Sequence, residues 1–160
     1  MDLSALHVRH APADAPPGSD LLEAMVSELV PLYGRIDVPG APSATPQDFS
    51  PPHGSFLLVE DRGRAIACGG VKRLTDLACE IKRMYVVPEA RGQGVAGLLL
   101  DALEDEGRRL GYAIARLDTG PHQAHAQRLY EQAGYRPIGN FNQNPFASFW
   151  GEKRLDADVT

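Results

Sequence analysis

The chain has 160 residues, a length suited to one domain around one core, and its 43% hydrophobic and 23% charged residues are ordinary for a globular protein. A net charge of −5 and a pI near 5.5 argue against nucleic acid or an anionic membrane as the main partner, because phosphate recognition needs a basic surface. No apolar run approaches the roughly 20 residues of a membrane span, and Met1-Asp2-Leu3-Ser4 has neither the basic nor the apolar region of a signal peptide, so a cytoplasmic protein is expected. Two cysteines, Cys68 and Cys79, are too few for a disulfide framework and read as reduced thiols; His122 and His125 have no cysteine near them, so no metal site is expected.

Residues 6–10 alternate in polarity and read as a first strand. Ser19 can cap a helix that starts at Asp20 and carries Leu22, Met25, Val26 and Leu29 on one face. Residues 36–53 form a proline-rich loop, with Pro39, Pro42, Pro46, Pro51 and Pro52, in which missing N–H groups forbid regular structure. It is too short to separate two domains and reads as an excursion within a single domain over 1–160. Residues 55–60 are a short buried strand, Asp61-Arg62-Gly63-Arg64 a tight turn, and 65–71 the returning strand. A third strand over 80–87 is stopped by Pro88.

Val95, Leu98, Leu99, Ala102, Leu103 and Leu110 share the face of a helix over 95–110 that Gly111 ends. A strand over 114–117, a helix over 124–132 ended by Gly134, and strands over 135–138 and 148–153 complete the pattern. Hairpins come first and crossovers follow. That order gives an α/β fold with a mixed sheet, antiparallel early and with one parallel pair flanking the 95–110 helix.

The segment Arg91-Gly92-Gln93-Gly94-Val95-Ala96-Gly97 lies between a strand and a helix. Its glycines let backbone N–H groups approach a ligand, and the helix points its positive end at the same place, so the segment suits a pyrophosphate. It is not a Walker A loop, for no Gly-Lys-Ser/Thr follows. It matches G-x-G-x-x-G, yet the acidic ribose ligand of a dinucleotide site has no counterpart but Asp118, which comes slightly late.

Arg91-x-x-Gly94-x-Ala96 also matches the R/Q-x-x-G-x-G/A signature of the GNAT N-acetyltransferase superfamily. Residues 80–88 resemble that family's fourth strand, and Leu129-Tyr130-Glu131-Gln132-Ala133-Gly134-Tyr135 resembles its L-Y-x-x-x-G-F/Y motif at the expected distance. The likeness runs over 55–155 and is densest over 80–135, while the tail Asn144-Pro145-Phe146-Ala147-Ser148-Phe149-Trp150 resembles a subgroup of small proteins. The resemblance implies a central mixed sheet of about seven strands flanked by about four helices. It also implies acetyl-CoA as co-substrate without a metal, and direct acetyl transfer to a primary amine of a small molecule or peptide. A homodimer is compatible with it.

The chemistry states what such a site needs. A lysine-like amine with a pKa of about 10.4 costs about 4.6 kcal/mol to deprotonate at pH 7, which a general base relieves. A phenol can return a proton to the leaving thiolate. By the resemblance, Glu80 stands where relatives carry a base on the fourth strand; the alternative is a surface carboxylate paired with Lys82 or Arg73. Tyr130 matches the family tyrosine as general acid; the alternative is a core tyrosine that only packs.

Met84 and Val86 are expected to offer backbone groups to the pantetheine arm like an added strand, and 91–97 to hold the pyrophosphate. Gln123 stands where many relatives have asparagine, as an amide for pantetheine or phosphate. Lys82, Arg83 and Arg73 either grip a substrate carboxylate or form a solvated face. His122 and His125 read as exposed residues at a helix start, and Cys79 has no base to make it a nucleophile. A non-catalytic acyl-CoA-binding module would keep 91–97 and lose Glu80 and Tyr130. A nucleotide-binding oxidoreductase would need the missing acidic ligand and more than one parallel βαβ unit.

Overall fold

The computed structural model describes residues 1–34 and 44–156. In chain order the elements are β1 (His7–His10), α1 (Gly18–Tyr33), β2 (Ser55–Asp61), β3 (Arg64–Arg73), β4 (Ala78–Val86), α2 (Val95–Arg109), β5 (Ile114–Thr119), α3 (Ala124–Gln132), β6 (Arg136–Pro137) and β7 (Phe149–Arg154). The seven strands form one sheet in the order β1-β2-β3-β4-β5-β7-β6. Its only parallel pair among the described residues is β4 with β5, the two strands joined through α2.

Among the described residues three α-helices are present where about four were expected. The proline-rich stretch up to residue 43 lies outside the described residues; from residue 44 it is more ordered than its composition suggests. Pro46–Phe49 makes a 3-10 turn in which the Thr45 N–H donates to Asp48 Oδ2 at 2.8 Å, and Phe49 is buried. Proline supplies the first position of that turn, where its missing N–H costs nothing, and Pro51 and Pro52 prevent its extension.

Helix α1 begins at Gly18 and not at a Ser19 cap. Leu21 is buried and Leu22 and Met25 pack beside it, but Val26 is exposed, as are Val30 and Leu32. The face grouped from Leu22 to Leu29 is thus rotated, with Leu21 and not Val26 turned to the core.

Gly69 and Gly70 in β3 let two layers press onto the sheet. A Cβ on Gly69 would lie 2.7 Å from Leu103 Cδ1 of α2, and one on Gly70 would fall on the Phe49 ring from the opposite face. The core therefore has α2, with buried Leu99 and Leu103, on one face, and Phe49 on the other beside α1. One charge is built into this core. Glu104 of α2 is 3% exposed; its Oε1 accepts from Lys153 Nζ at 2.9 Å and its Oε2 from the Tyr135 hydroxyl at 2.9 Å. The bonds tie α2 to β7 and to Tyr135, between α3 and β6. Removing one partner of such a pair leaves its donors unsatisfied, and the partly solvated Lys153 moderates the loss. Glu104→Ala is expected to lower unfolding stability by about 3 kcal/mol in urea denaturation.

Candidate active site

Strands β4 and β5 are in register over Ala78, Cys79 and Glu80 against Ile114, Ala115 and Arg116, and then part. Beyond that point β4 stays on β3 and β5 on β7. A bulge drives the parting: Cys68 pairs with Tyr85 and Gly70 with Lys82, and Arg83 takes a φ of 59°. The Val87 N–H donates to Ile66 O at 2.9 Å. Strand alternation then turns the backbone groups of Met84 and Val86 away from β3, toward the opening.

Glu80 is the last residue of β4 that pairs with β5 and sits at the closed end of that opening. It is 2% exposed, which removes the expectation of a surface carboxylate. Lys82 Nζ lies 3.3 Å from its Oε2, while Arg73 pairs with Asp76 at the β3–β4 turn. Burial raises the Glu80 pKa above the ordinary carboxylate value, Lys82 and a bond from Asn142 oppose the rise, and Asp118 reinforces it. Glu80 stands in a row of alternating charge across five strands: Lys72, Glu80, Arg116, Glu152 and Arg136 are neighbours in register. Within the row Arg116 Nε meets Glu152 Oε2 at 2.8 Å.

Tyr130 is buried on α3 and its hydroxyl donates to Met84 Sδ at 3.7 Å, which puts the phenol beside the open half of β4. Burial, then the charge of Asp118, raises its pKa, so the phenol keeps its proton. Asp118 thus acts on both Glu80 and Tyr130.

Gly94 caps α2 with a φ of 91°, a left-handed conformation, and a Cβ there would meet Leu3 Cδ1 at 3.0 Å. Gly92 also has a positive φ and open space around it. The first intrahelical bond of this turn runs from Leu98 N–H to Gly94 O at 3.2 Å, so the N–H groups of Val95, Ala96 and Gly97 have no helical acceptor and point out of the helix. The side chain of Val95 itself is core, Gln93 Nε2 bonds Glu89 O at 3.1 Å, and a Cβ on Gly97 would only touch Leu129. These backbone groups fit a pyrophosphate.

Arg91 does something else with its side chain. Its Nε donates to Val86 O at 2.9 Å, NH2 meets Glu28 Oε2 of α1 at 2.6 Å, and the guanidinium lies 5.6 Å from the Tyr85 ring centroid. Arg91 therefore fastens the loop to α1, and it occupies the Val86 carbonyl that was expected to meet a pantetheine amide. Gln123, just before α3, is also engaged: its Oε1 accepts from Gly120 N–H at 3.3 Å and from the hydroxyls of Thr119 and Tyr33 at 3.4 Å. The basic residues named for a substrate carboxylate are held internally, with Arg83 donating to Ala44 O at 2.8 Å and lying over Phe49. His122 and His125 are exposed. Cys79 is buried and its thiol is pushed up to about 12, which makes it inert.

Asp118, Asn142, Asn144 and Tyr33 were given no place in the site by the sequence reading. Asn142 and Asn144, in the loop before β7, donate to Asp118 Oδ2 at 2.5 and 3.1 Å, and Asn142 also reaches Glu80. Tyr33, at the end of α1, accepts from His122 N–H at 3.1 Å and packs edge-on against His122 and Phe146. Only Asp118 carried a signal, as an acidic residue at the end of a strand. Among the described residues no group of three His, Cys, Asp or Glu is arranged for a metal, and no helix is long and apolar enough to cross a membrane.

Residues 22–135 match the model of the acetyltransferase (GNAT) family. An IAA acetyltransferase of Azospirillum brasilense is 34% identical over 107 residues, 64% of this chain and 70% of that protein. The fold superposes on a Klebsiella pneumoniae protein described as an acyl-CoA N-acyltransferase, with a TM-score of 0.76 and 27% identity over 94% of this chain and 97% of that one. It also matches a GNAT family acetyltransferase of Elizabethkingia anophelis with acetyl-CoA bound, with a TM-score of 0.67 and 18% identity over 94% and 98% of the two chains. The chain belongs to the GNAT family of acetyltransferases.

The Gly94 geometry yields a test of the loop. A β-branched side chain at this left-handed position strains the backbone and runs into Leu3, which displaces the amides at the start of α2. Gly94→Val is expected to weaken coenzyme A binding by at least about tenfold, a loss of about 1.4 kcal/mol in isothermal titration calorimetry.

Proposed function

We propose that the protein is an N-acetyltransferase that moves an acetyl group from acetyl-CoA directly to a primary amine of a small molecule or peptide, in a ternary complex and without an acyl-enzyme. The observation that carries this reading is the opening between β4 and β5, which has a buried carboxylate at its closed end, a buried phenol beside β4, and the backbone of Met84 and Val86 turned away from β3 along one edge. The family's relatives bring the chemistry; a solved neighbour holds acetyl-CoA. We read 1–160 as one domain in the cytoplasm, where two free thiols stay reduced.

In this reading the α2 N-terminal amides and the glycines at 92 and 94 hold the pyrophosphate, and the open side of β4 receives the pantetheine arm through the backbone of Met84 and the Val86 N–H, the Val86 carbonyl already accepting from Arg91. Glu80 takes a proton from the acceptor ammonium. The amine nitrogen then forms its bond to the acetyl carbon, the carbon–sulfur bond breaks, Tyr130 gives the departing sulfur its proton, and the phenolate takes up the second proton that the nitrogen sheds. Burial supports Glu80, since a carboxylate with a raised pKa is a stronger base than an exposed one. It supports Tyr130 too, because a phenol that stays protonated keeps a proton to give.

The pH dependence follows from the sign of the Glu80 shift. Only the ionised form accepts a proton, so kcat/KM rises as pH climbs through a pKa that lies above the ordinary carboxylate value. Glu80→Gln is expected to lose about 10²-fold in rate at pH 7. The loss should shrink at about pH 9–10, where more amine is already neutral. A pH–rate profile with thermal melting as control checks this; an equal loss at every pH, accompanied by a lower melting temperature, would make Glu80 structural. Tyr130→Phe is expected to lower kcat by about 10- to 100-fold while leaving coenzyme A affinity unchanged, measured by steady-state kinetics beside calorimetry.

A further inference from the structure

The loop between β6 and β7 reaches back to the closed end of the opening through one side chain. Asn142 Nδ2 donates to Glu80 Oε2 at 3.0 Å and to Asp118 Oδ2 at 2.5 Å. Its Oδ1 accepts from Trp150 Nε1 at 3.2 Å and from Asn144 N–H at 3.2 Å. Asn144 Nδ2 adds a second bond to Asp118 Oδ2 at 3.1 Å. A primary amide has two N–H hydrogens, and here each carboxylate takes one. The donors on Glu80, Asn142 and Lys82, both reach Oε2, and no bond among the described residues reaches Oε1.

We infer that Asn142 is the positioning residue of the base: it pins Oε2 of Glu80 against Asp118 and so leaves Oε1 as the oxygen that takes the proton from the acceptor amine. The inference rests on Glu80 acting as the base. It explains why a loop far along the chain is stapled to β4 and β5. A neutral amide bridges two carboxylates without adding a third charge, and a carboxylate held through one oxygen keeps a fixed orientation at the other. Departure of the loop would leave Lys82 as the one donor on Glu80 and remove the amide that separates it from Asp118. The base is therefore ready only when the loop is seated.

The charges that face Glu80 set the signs of the test. Lys72 lies beside it on β3, Lys82 on its own strand, Arg116 and Asp118 on β5, and Asn142 comes from the loop. Arg116 is committed to Glu152. The bond from Asn142 favours the ionised carboxylate, whereas Asp118 disfavours it. Removing Asn142 therefore raises the Glu80 pKa, and neutralising Asp118 lowers it. A residue that merely held the loop in place would not move the two in opposite directions.

The experiment is a ¹³C NMR titration of glutamate carboxyl carbons in the free protein, with the Glu80 signal assigned by its loss in Glu80→Gln. In Asn142→Ala the Glu80 midpoint is expected to move to higher pH and in Asp118→Asn to lower pH. The acidic limb of kcat/KM should follow each. Asn142→Ala should lose up to about 10²-fold in kcat at pH 7 with the KM for acetyl-CoA unchanged, and recover part of it at higher pH. Should the alanine variant fail to fold, Asn142→Asp keeps the side chain's size and is expected to raise the midpoint in the same sense. Trp150, the single tryptophan, reports the seating of the loop by its emission in each variant. Midpoints that stay in place, or that move the same way in both variants, overturn the positioning role. Midpoints that move as expected while Glu80→Gln keeps full activity uphold the geometry and overturn the base.

Discussion

The parting of β4 from β5 is the constraint on which the rest of the molecule depends. Two parallel strands that stayed paired would leave no backbone free and no space between them. Here the pairing ends after three register positions, because a residue with positive φ inserts a bulge into β4 while β5 is drawn to β7. Everything at the site is arranged around that end. Glu80 is the final residue of β4 paired with β5, Met84 and Val86 follow on the free edge, and the N-terminus of α2 lies just beyond the strand. Gly69 stands opposite the bulge, where a side chain would collide with Leu103.

The second requirement is electrostatic. A carboxylate that is 2% exposed carries a large desolvation cost unless charges and donors surround it. The sheet meets this with a row of residues of alternating sign, from Lys72 on β3 to Arg136 on β6, so that each carboxylate in the row has a cation on either side. Lys82 and Asn142 then add donors. The result is a buried group whose pKa is raised by desolvation and held back by the charges and donors around it. Glu104, also buried, is satisfied at both oxygens and binds α2 to β7 and to Tyr135.

Much of this was legible where the information is local. The helix over 124–132 and the parallel pair around α2 follow from periodicity, glycine stops and connection length. Glu80 and Tyr130 were picked out by the likeness to the family, and Gly94 by the glycine-rich run before a helix. What could not be read is what the motif's arginine does: Arg91 turns to Glu28, a residue 63 positions away, because the nearest acid in space lies on α1. The same holds for Asn142, whose contact with Glu80 spans 62 positions and comes from a loop with no periodic pattern. The rotated face of α1 had a subtler cause, since residues 22, 25, 26 and 29 form an acceptable stripe and only the close approach of Gly18 to the Phe56 ring selects its neighbour. The Gly69-Gly70 pair was a signal that could have been used, for glycines inside a strand mark a bulge or a close approach.

The position of β7 has a consequence for how the chain comes together. β5, with Ala115 and Leu117 buried, lies at the centre of the sheet, yet β4 covers only its first three residues. Its partner over the full length from Ile114 to Thr119 is a strand made much later. During synthesis the meander of β2, β3 and β4 can pair as soon as it leaves the ribosome, since its contacts are close in sequence. β5 must wait until residues 149–154 arrive, and until then the middle of the finished sheet is an apolar edge. A truncation anywhere between Thr119 and Phe149 would leave it so, which makes the polar loop that reaches Glu80 also the link to the strand that keeps the sheet from becoming adhesive.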